Sequence, residues 1–249
     1  MRAVAAAAVL ASVPVLAACG SGADGADTLT VFAAASLKAP FTELAERFED
    51  ANPGVTVELS FTGSSDLVAQ LEQGAPGDVL ATADTRTMDA AVAAGLVAGE
   101  PASFATNTLT IVTEPGNPKN IRMFADLTAE GISVVVCAPQ VPCGAATTRL
   151  EEATGVDIVP VSEESAVTDV LGKVTSGQAD AGLVYVTDAV GAGDAVTAVA
   201  VPQAAEIVNV YLVAALENSQ SSGRAGDFVR FVTGANGRAV LDEAGFGAP

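Results

Sequence analysis

From residue 29 to residue 186, short runs rich in Val, Leu, Ile and Thr alternate with alanine-rich stretches whose apolar residues recur at helical spacing. Strands are read at 29–33, 55–61, 78–81, 108–113, 133–137, 156–161 and 181–186. Helices are read at 37–50, 65–73, 85–94, 145–153 and 165–176, with a short one near 123–127. This alternation restricts the chain to α/β architectures, mostly parallel sheets flanked by helices, because a crossover between parallel strands needs a helix-length connection. A β-rich stretch at 206–215 and two helices at 222–233 and 236–244 complete the pattern. No low-complexity block follows residue 27, so about 220 residues remain, enough for one large domain or two small lobes.

One junction recurs: strand, small turn, helix N-terminus. It occurs at Ala33-Ala34-Ala35-Ser36, at Thr62-Gly63-Ser64-Ser65, at Cys143-Gly144 and at Glu164-Ser165-Ala166-Val167. Helix N-termini present backbone N–H groups without intrahelical acceptors and a partial positive charge, so they attract anions without a charged side chain. A hydroxyl at the N-cap, expected at the first two junctions, adds a donor. A serine there is first of all a cap on its own helix, and small residues at 33–35 also suit tight strand–helix packing. Four such junctions at the carboxyl ends of strands, in two halves of the chain, point to the ligand crevice of an open α/β sheet.

The ends and the composition bound the setting. Arg2 is followed by an apolar run ending in Leu16-Ala17-Ala18-Cys19, which resembles a bacterial lipoprotein box. Residues 1–18 are therefore expected to be a signal peptide, Cys19 the lipidated N-terminus and residues 19–27 a tether; the alternative is an alanine-rich signal with a chance cysteine. The run is too short for a membrane span, so the only membrane contact expected is lipid on Cys19. That leaves Cys137 and Cys143 in a disulfide-permissive compartment with five residues between them, and a disulfide between them is expected; the alternative is two buried thiols that never meet. The formal charge is −19, or −20 without residues 1–18, which repels nucleic acid and acidic membranes. Histidine and tryptophan are absent, which removes the usual general base and transition-metal ligand. An anion site in such a chain has to work through local donors.

Three stretches together are similar to the molybdate-binding proteins of bacterial molybdate ABC importers: Val31-Phe32-Ala33-Ala34-Ala35-Ser36-Leu37, Phe61-Thr62-Gly63-Ser64-Ser65 with 67–79, and Gly182-Leu183-Val184-Tyr185 with Thr187-Asp188-Ala189. The resemblance covers essentially the whole mature chain. It implies a two-lobed periplasmic-binding-protein fold with hinge crossings near 106–108 and 202–207. One lobe would hold residues 28–106 plus 204–249 and the other 107–203. It implies a tetrahedral oxyanion, molybdate or tungstate, held only by hydroxyls and backbone N–H groups: Ser36 and Ser64 from the first lobe, and the N–H groups of Cys143 and Val167 with the hydroxyl of Tyr185 from the second. No cofactor and no metal–side-chain coordination are implied, and the partners would be the oxyanion and an ABC permease, the receptor itself being a monomer. The family usually has alanine at position 143, and alanine and a bulkier apolar residue where Gly77 and Leu80 stand.

A pocket of donors alone suits a fully deprotonated dianion. Hydrogen phosphate would want an acceptor, and leaving its proton unpaired costs about 1–3 kcal/mol. Asp66, the nearest carboxylate in sequence, reads better as a first-turn helix acid. Sulfate differs from molybdate only in size. An enzyme on the same bilobal fold would need an activated nucleophile, and only Cys143 offers one, which a disulfide would disarm.

Overall fold

Two five-stranded sheets organise the chain in the computed structural model, which describes residues 27–249. The expected signal segment, Cys19 and the tether through residue 26 lie outside the described residues. The first sheet takes β1 (Asp27–Ala34), β2 (Val55–Thr62), β3 (Val79–Thr82) and β4 (Val97–Asn107). The second takes β5 (Leu109–Thr113), β6 (Val134–Cys137), β7 (Ser162–Glu164), β8 (Ala181–Tyr185) and β9 (Thr197–Val199). Strand β10 (Asn209–Leu216) then returns to the first sheet, giving the orders β2-β1-β3-β10-β4 and β7-β6-β8-β5-β9. In each sheet one strand opposes the rest. Strand β10 is antiparallel to both neighbours in the first sheet, and β5 to both in the second. Each is the strand the chain forms on crossing from the other lobe. Thr108 alone separates β4 from β5, so the first crossing is one residue long.

Helices α1 (Lys38–Ala51), α2 (Ser64–Glu72) and α3 (Thr85–Ala93) follow the first three strands; α4 (Pro142–Thr154), α5 (Val167–Thr175) and α6 (Val186–Ala192) belong to the second lobe, and α7 (Ser222–Thr233) and α8 (Ala235–Glu243) end the chain. The first sheet is covered on both faces. Phe41, Leu44 and Phe48 of α1 meet Phe228 of α7 and Leu241 of α8 on one side. Leu67 and Leu71 of α2 meet Met88 of α3 on the other. Phe48 and Phe228 pack edge to face with ring centroids 5.1 Å apart, a geometry favoured by the ring quadrupoles. The second lobe has an aliphatic core built on Val134, Leu150, Val170 and Leu183. Among the described residues no helix is long and apolar enough to cross a membrane.

Several local expectations change. Residues 156–161 are not a strand: Val159 and Val161 are 87% and 63% exposed, Pro160 has no N–H for a ladder, and the pairing with β6 begins only at Ser162. Strands β4 and β9 and helix α6 have no counterpart in the sequence reading. Neither Ser36 nor Ser64 is an N-cap. Ser36 lies inside a 3-10 turn (Ala35–Leu37) that precedes α1, and Ser64 is the first residue of α2, after Gly63; neither junction has a side-chain cap.

Candidate anion-binding site

The four junctions meet face to face where the carboxyl ends of the two sheets oppose each other. Ser36, Ser64, Cys143, Val167 and Tyr185 all line one small cavity, together with Ala35, Gly63, Ala83, Val141 and Ala166. Among the described residues no charged side chain lines it. The cavity, open to solvent on one side, has a volume of ≈ 220 Å³.

The amides of Cys143 and Val167, the expected main-chain donors, lie at helix starts. Pro142 occupies the first position of α4 and has no N–H, so Cys143 is the first residue of that helix able to donate. Val167 opens α5 after the extended Ala166. Both lie in first turns, where N–H groups lack intrahelical acceptors. Gly144 beside Cys143 is forced by packing, since a Cβ there would lie 1.9 Å from the Ala138 carbonyl oxygen. The loop between is closed by the Cys137–Cys143 disulfide, with Cα atoms 5.6 Å apart.

The hydroxyls are set up from behind. Ser64 Oγ accepts from the Ala83 N–H at 3.1 Å, which leaves its own proton for the cavity. Tyr185 Oη accepts from Asn209 Nδ2 at 3.0 Å. The second Asn209 N–H goes to the Ala83 carbonyl at 3.0 Å, and Arg149 Nη2 donates to Asn209 Oδ1 at 3.0 Å. Guanidinium can only donate, so it fixes which end of the amide faces Tyr185. Ser36 Oγ lies 2.9 Å from Tyr211 Oη, and Asn107 also bonds Tyr211. With Asn107 donating to Tyr211, Tyr211 to Ser36 and Asn209 to Tyr185, the hydroxyl protons of Ser36 and Ser64 are left for the cavity, and that of Tyr185 is shared between Tyr211 and the cavity.

Both phenols hold their protons. Burial, the largest effect, pushes the Tyr185 hydroxyl well above the usual phenol range, with Tyr211, Asp84 and Asp188 adding to it and Arg149 opposing. Burial likewise pushes Tyr211 up, followed by the charge of Asp188, against its hydrogen bonds with Ser36, Asn107 and Tyr185. Neutral donors therefore face the cavity at any physiological pH.

Asn209, Tyr211, Asn107 and Arg149 escape the sequence reading. One signal was present. Asn209 and Tyr211 are polar residues at i and i+2 in the otherwise apolar NVYLVAAL, so they share one face of β10. Asp66 does not line the cavity, and among the described residues no cluster of His, Cys, Asp and Glu could hold a metal.

Two sheet-and-helix lobes, joined by crossings and facing each other across a donor-lined cleft, define a receptor for a small solute. The chain belongs to the bacterial extracellular solute-binding proteins, whose family model matches residues 29–247. It is a binding protein and not an enzyme. It is 54% identical over 243 residues to the molybdate-binding protein ModA of Mycobacterium tuberculosis (strain H37Rv), covering 94% of this chain and 93% of that one. A 64-residue stretch is 47% identical to the molybdate-binding protein ModA of Escherichia coli K12, covering 26% and 24% of the two chains. The fold matches that of the periplasmic molybdate-binding protein of Azotobacter vinelandii with a TM-score of 0.76 at 23% identity, over 89% of this chain and 99% of that one. The sulfate-binding protein SubI of Mycobacterium tuberculosis matches with a TM-score of 0.74 at 20% identity, over 88% and 86%.

Proposed function

We propose that this chain captures molybdate, and with it tungstate, between its two lobes outside the cytoplasm and delivers it to an ABC-type permease. One observation carries the reading: Ser36, Ser64, Cys143, Val167 and Tyr185, drawn from both lobes, line one small cavity that no charged side chain of the described residues lines. Molybdate at neutral pH accepts hydrogen bonds and offers none, so every contact with these donors is favourable. The 54% identity to a protein named for molybdate binding, over 94% of this chain, supports the same ligand.

Capture is a shift of population from open to closed lobes, because only the closed form brings Ser36 and Ser64 to the same ion as Cys143, Val167 and Tyr185. The moving bodies are residues 28–106 with 204–249, and residues 107–203. Cys19, lipidated after removal of residues 1–18, tethers the receptor to the membrane through residues 19–27, and the receptor works as a monomer.

A thermal-shift panel of molybdate, tungstate, sulfate and phosphate on the purified protein tests this. At ~100 times its dissociation constant, molybdate or tungstate adds about 2.7 kcal/mol of stability. No shift with either overturns the reading.

A further inference from the structure

The loop of residues 138–142 reaches across the cleft. At its tip the Gln140 carbonyl accepts two hydrogen bonds from the opposite lobe, from Ser65 Oγ at 2.6 Å and from Arg86 Nη2 at 2.6 Å. Arg86 is steadied on its own side, with Nε 3.7 Å from Asp84 Oδ2, while Asp84 caps α3 by accepting from the Thr87 N–H at 2.9 Å. The acceptor loop is equally constrained. Its ends are joined by the Cys137–Cys143 disulfide, Ala138 N–H donates to the Glu164 carbonyl at 2.8 Å, and Val141 N–H donates to the Ala138 carbonyl at 3.0 Å. Val141, Pro142 and Cys143 of the same segment line the cavity.

We propose that this disulfide-closed loop is a clasp that fastens the lobes over the captured ion and sets its release rate, with Arg86 and Ser65 as positioning residues acting through the Gln140 carbonyl. The proposal rests on the molybdate reading above. Both bonds join atoms of different lobes, so they exist in the closed form and are lost on opening. Interactions confined to the closed form slow opening and leave the encounter of ion and open receptor unchanged. A guanidinium–carbonyl bond is charge-assisted and stronger than a neutral one. The disulfide makes the clasp and the ligand contact one body, because the loop that offers the carbonyl to Arg86 also offers the Cys143 N–H to the ion.

The chain supplies its own reporter: it has two tyrosines and no tryptophan, and both tyrosines stand at the site. Stopped-flow tyrosine fluorescence with molybdate gives association and release rates for the wild type, Arg86→Ala and Ser65→Ala, each oxidised and after reduction. The expected result is release about tenfold faster in Arg86→Ala, the factor that corresponds to about 1.4 kcal/mol, with association unchanged. Reduction speeds release in the wild type and, by a smaller factor, in Arg86→Ala, where the Ser65 bond and the Cys143 amide still depend on the loop. Release at the wild-type rate in both variants overturns the clasp, as does a change confined to association, which would mark Arg86 as an electrostatic attractor. A wild-type protein that binds no molybdate overturns the ligand assignment and this proposal with it. Melting of the ligand-free variants at the wild-type temperature confirms that they fold.

Discussion

Asp188 is the carboxyl group most strongly shifted by the fold around the site. It is the third residue of α6, and its Oδ2 accepts the N–H of Tyr185 at 3.0 Å, so it helps set where the phenol points. Burial pushes its carboxyl up from 3.8 to about 7, and the Tyr185 N–H offsets only part of that. The sign follows from proton binding: between about 4 and 7 the folded protein holds a proton here that the unfolded chain has lost. Asp188 therefore stabilises the fold less and less as pH rises through that window, with a slope of up to about 1.4 kcal/mol per pH unit, and its effect levels off above 7. Asp188→Asn keeps an acceptor for Tyr185 and removes the titration. Denaturation from pH 4 to 8 should show the variant gaining stability relative to wild type as pH rises to 7; parallel curves would contradict the assignment. Other single positions explain departures from the family pattern. Gly77 is glycine because a Cβ there would lie 2.8 Å from the Phe32 ring and 3.1 Å from Leu216. On the proposed reading Cys143 serves the ion through its main-chain N–H, so its departure from alanine leaves that donor in place.

At the scale of elements, the site is a meeting of junctions, and glycine sets how close they come. Gly63, between β2 and α2, has φ −60° and ψ 139°, a conformation open to any residue. A Cβ on it would nonetheless lie 2.0 Å from the Ser165 carbonyl oxygen, at the junction of β7 and α5 in the other lobe. Gly63→Ala should leave each lobe folded and prevent closure. Expected are an unchanged circular dichroism spectrum and ligand-free melting temperature with loss of the ~2.7 kcal/mol that saturating molybdate adds; retained stabilisation would show that the lobes need not approach this far. The junctions were legible in sequence because each combines strand periodicity, small residues and a helix start. Strand β4 was not, since Gly99 and Pro101 read as turn residues, yet an edge strand tolerates both. Strand β9 is three residues on an edge of the second sheet. Helix α6 follows β8 with no intervening residue, so no break announces it. At 156–161, Val156, Ile158 and Val161 mimic a strand where the chain is irregular and partly exposed. The polar residues behind the donors stayed hidden for another reason. Asn209 lies 24 residues from Tyr185 and 126 from Ala83, and only the crossing of β10 into the first sheet brings the three together.

The whole molecule sets a formal charge of −19 against a cargo of two negative charges. At physiological ionic strength the Debye length is about 8 Å, so distant surface carboxylates are largely screened, and the ion meets chiefly the donors within contact distance. Hydrogen bonds inside a closed, dry cleft gain strength from the low local dielectric, and a pocket with all its polar groups already oriented loses little on binding. Lobe closure completes the donor set and, through Gln140, fastens it. The central claim is that neutral N–H and O–H groups of both lobes hold the ion without help from a cation. A crystal structure of the molybdate complex tests it most directly. The account predicts oxygens of the ion within hydrogen-bond distance of Ser36 Oγ, Ser64 Oγ, Tyr185 Oη and the amides of Cys143 and Val167, whereas an ion bound by a lysine or arginine side chain, or seated outside this cavity, would contradict it.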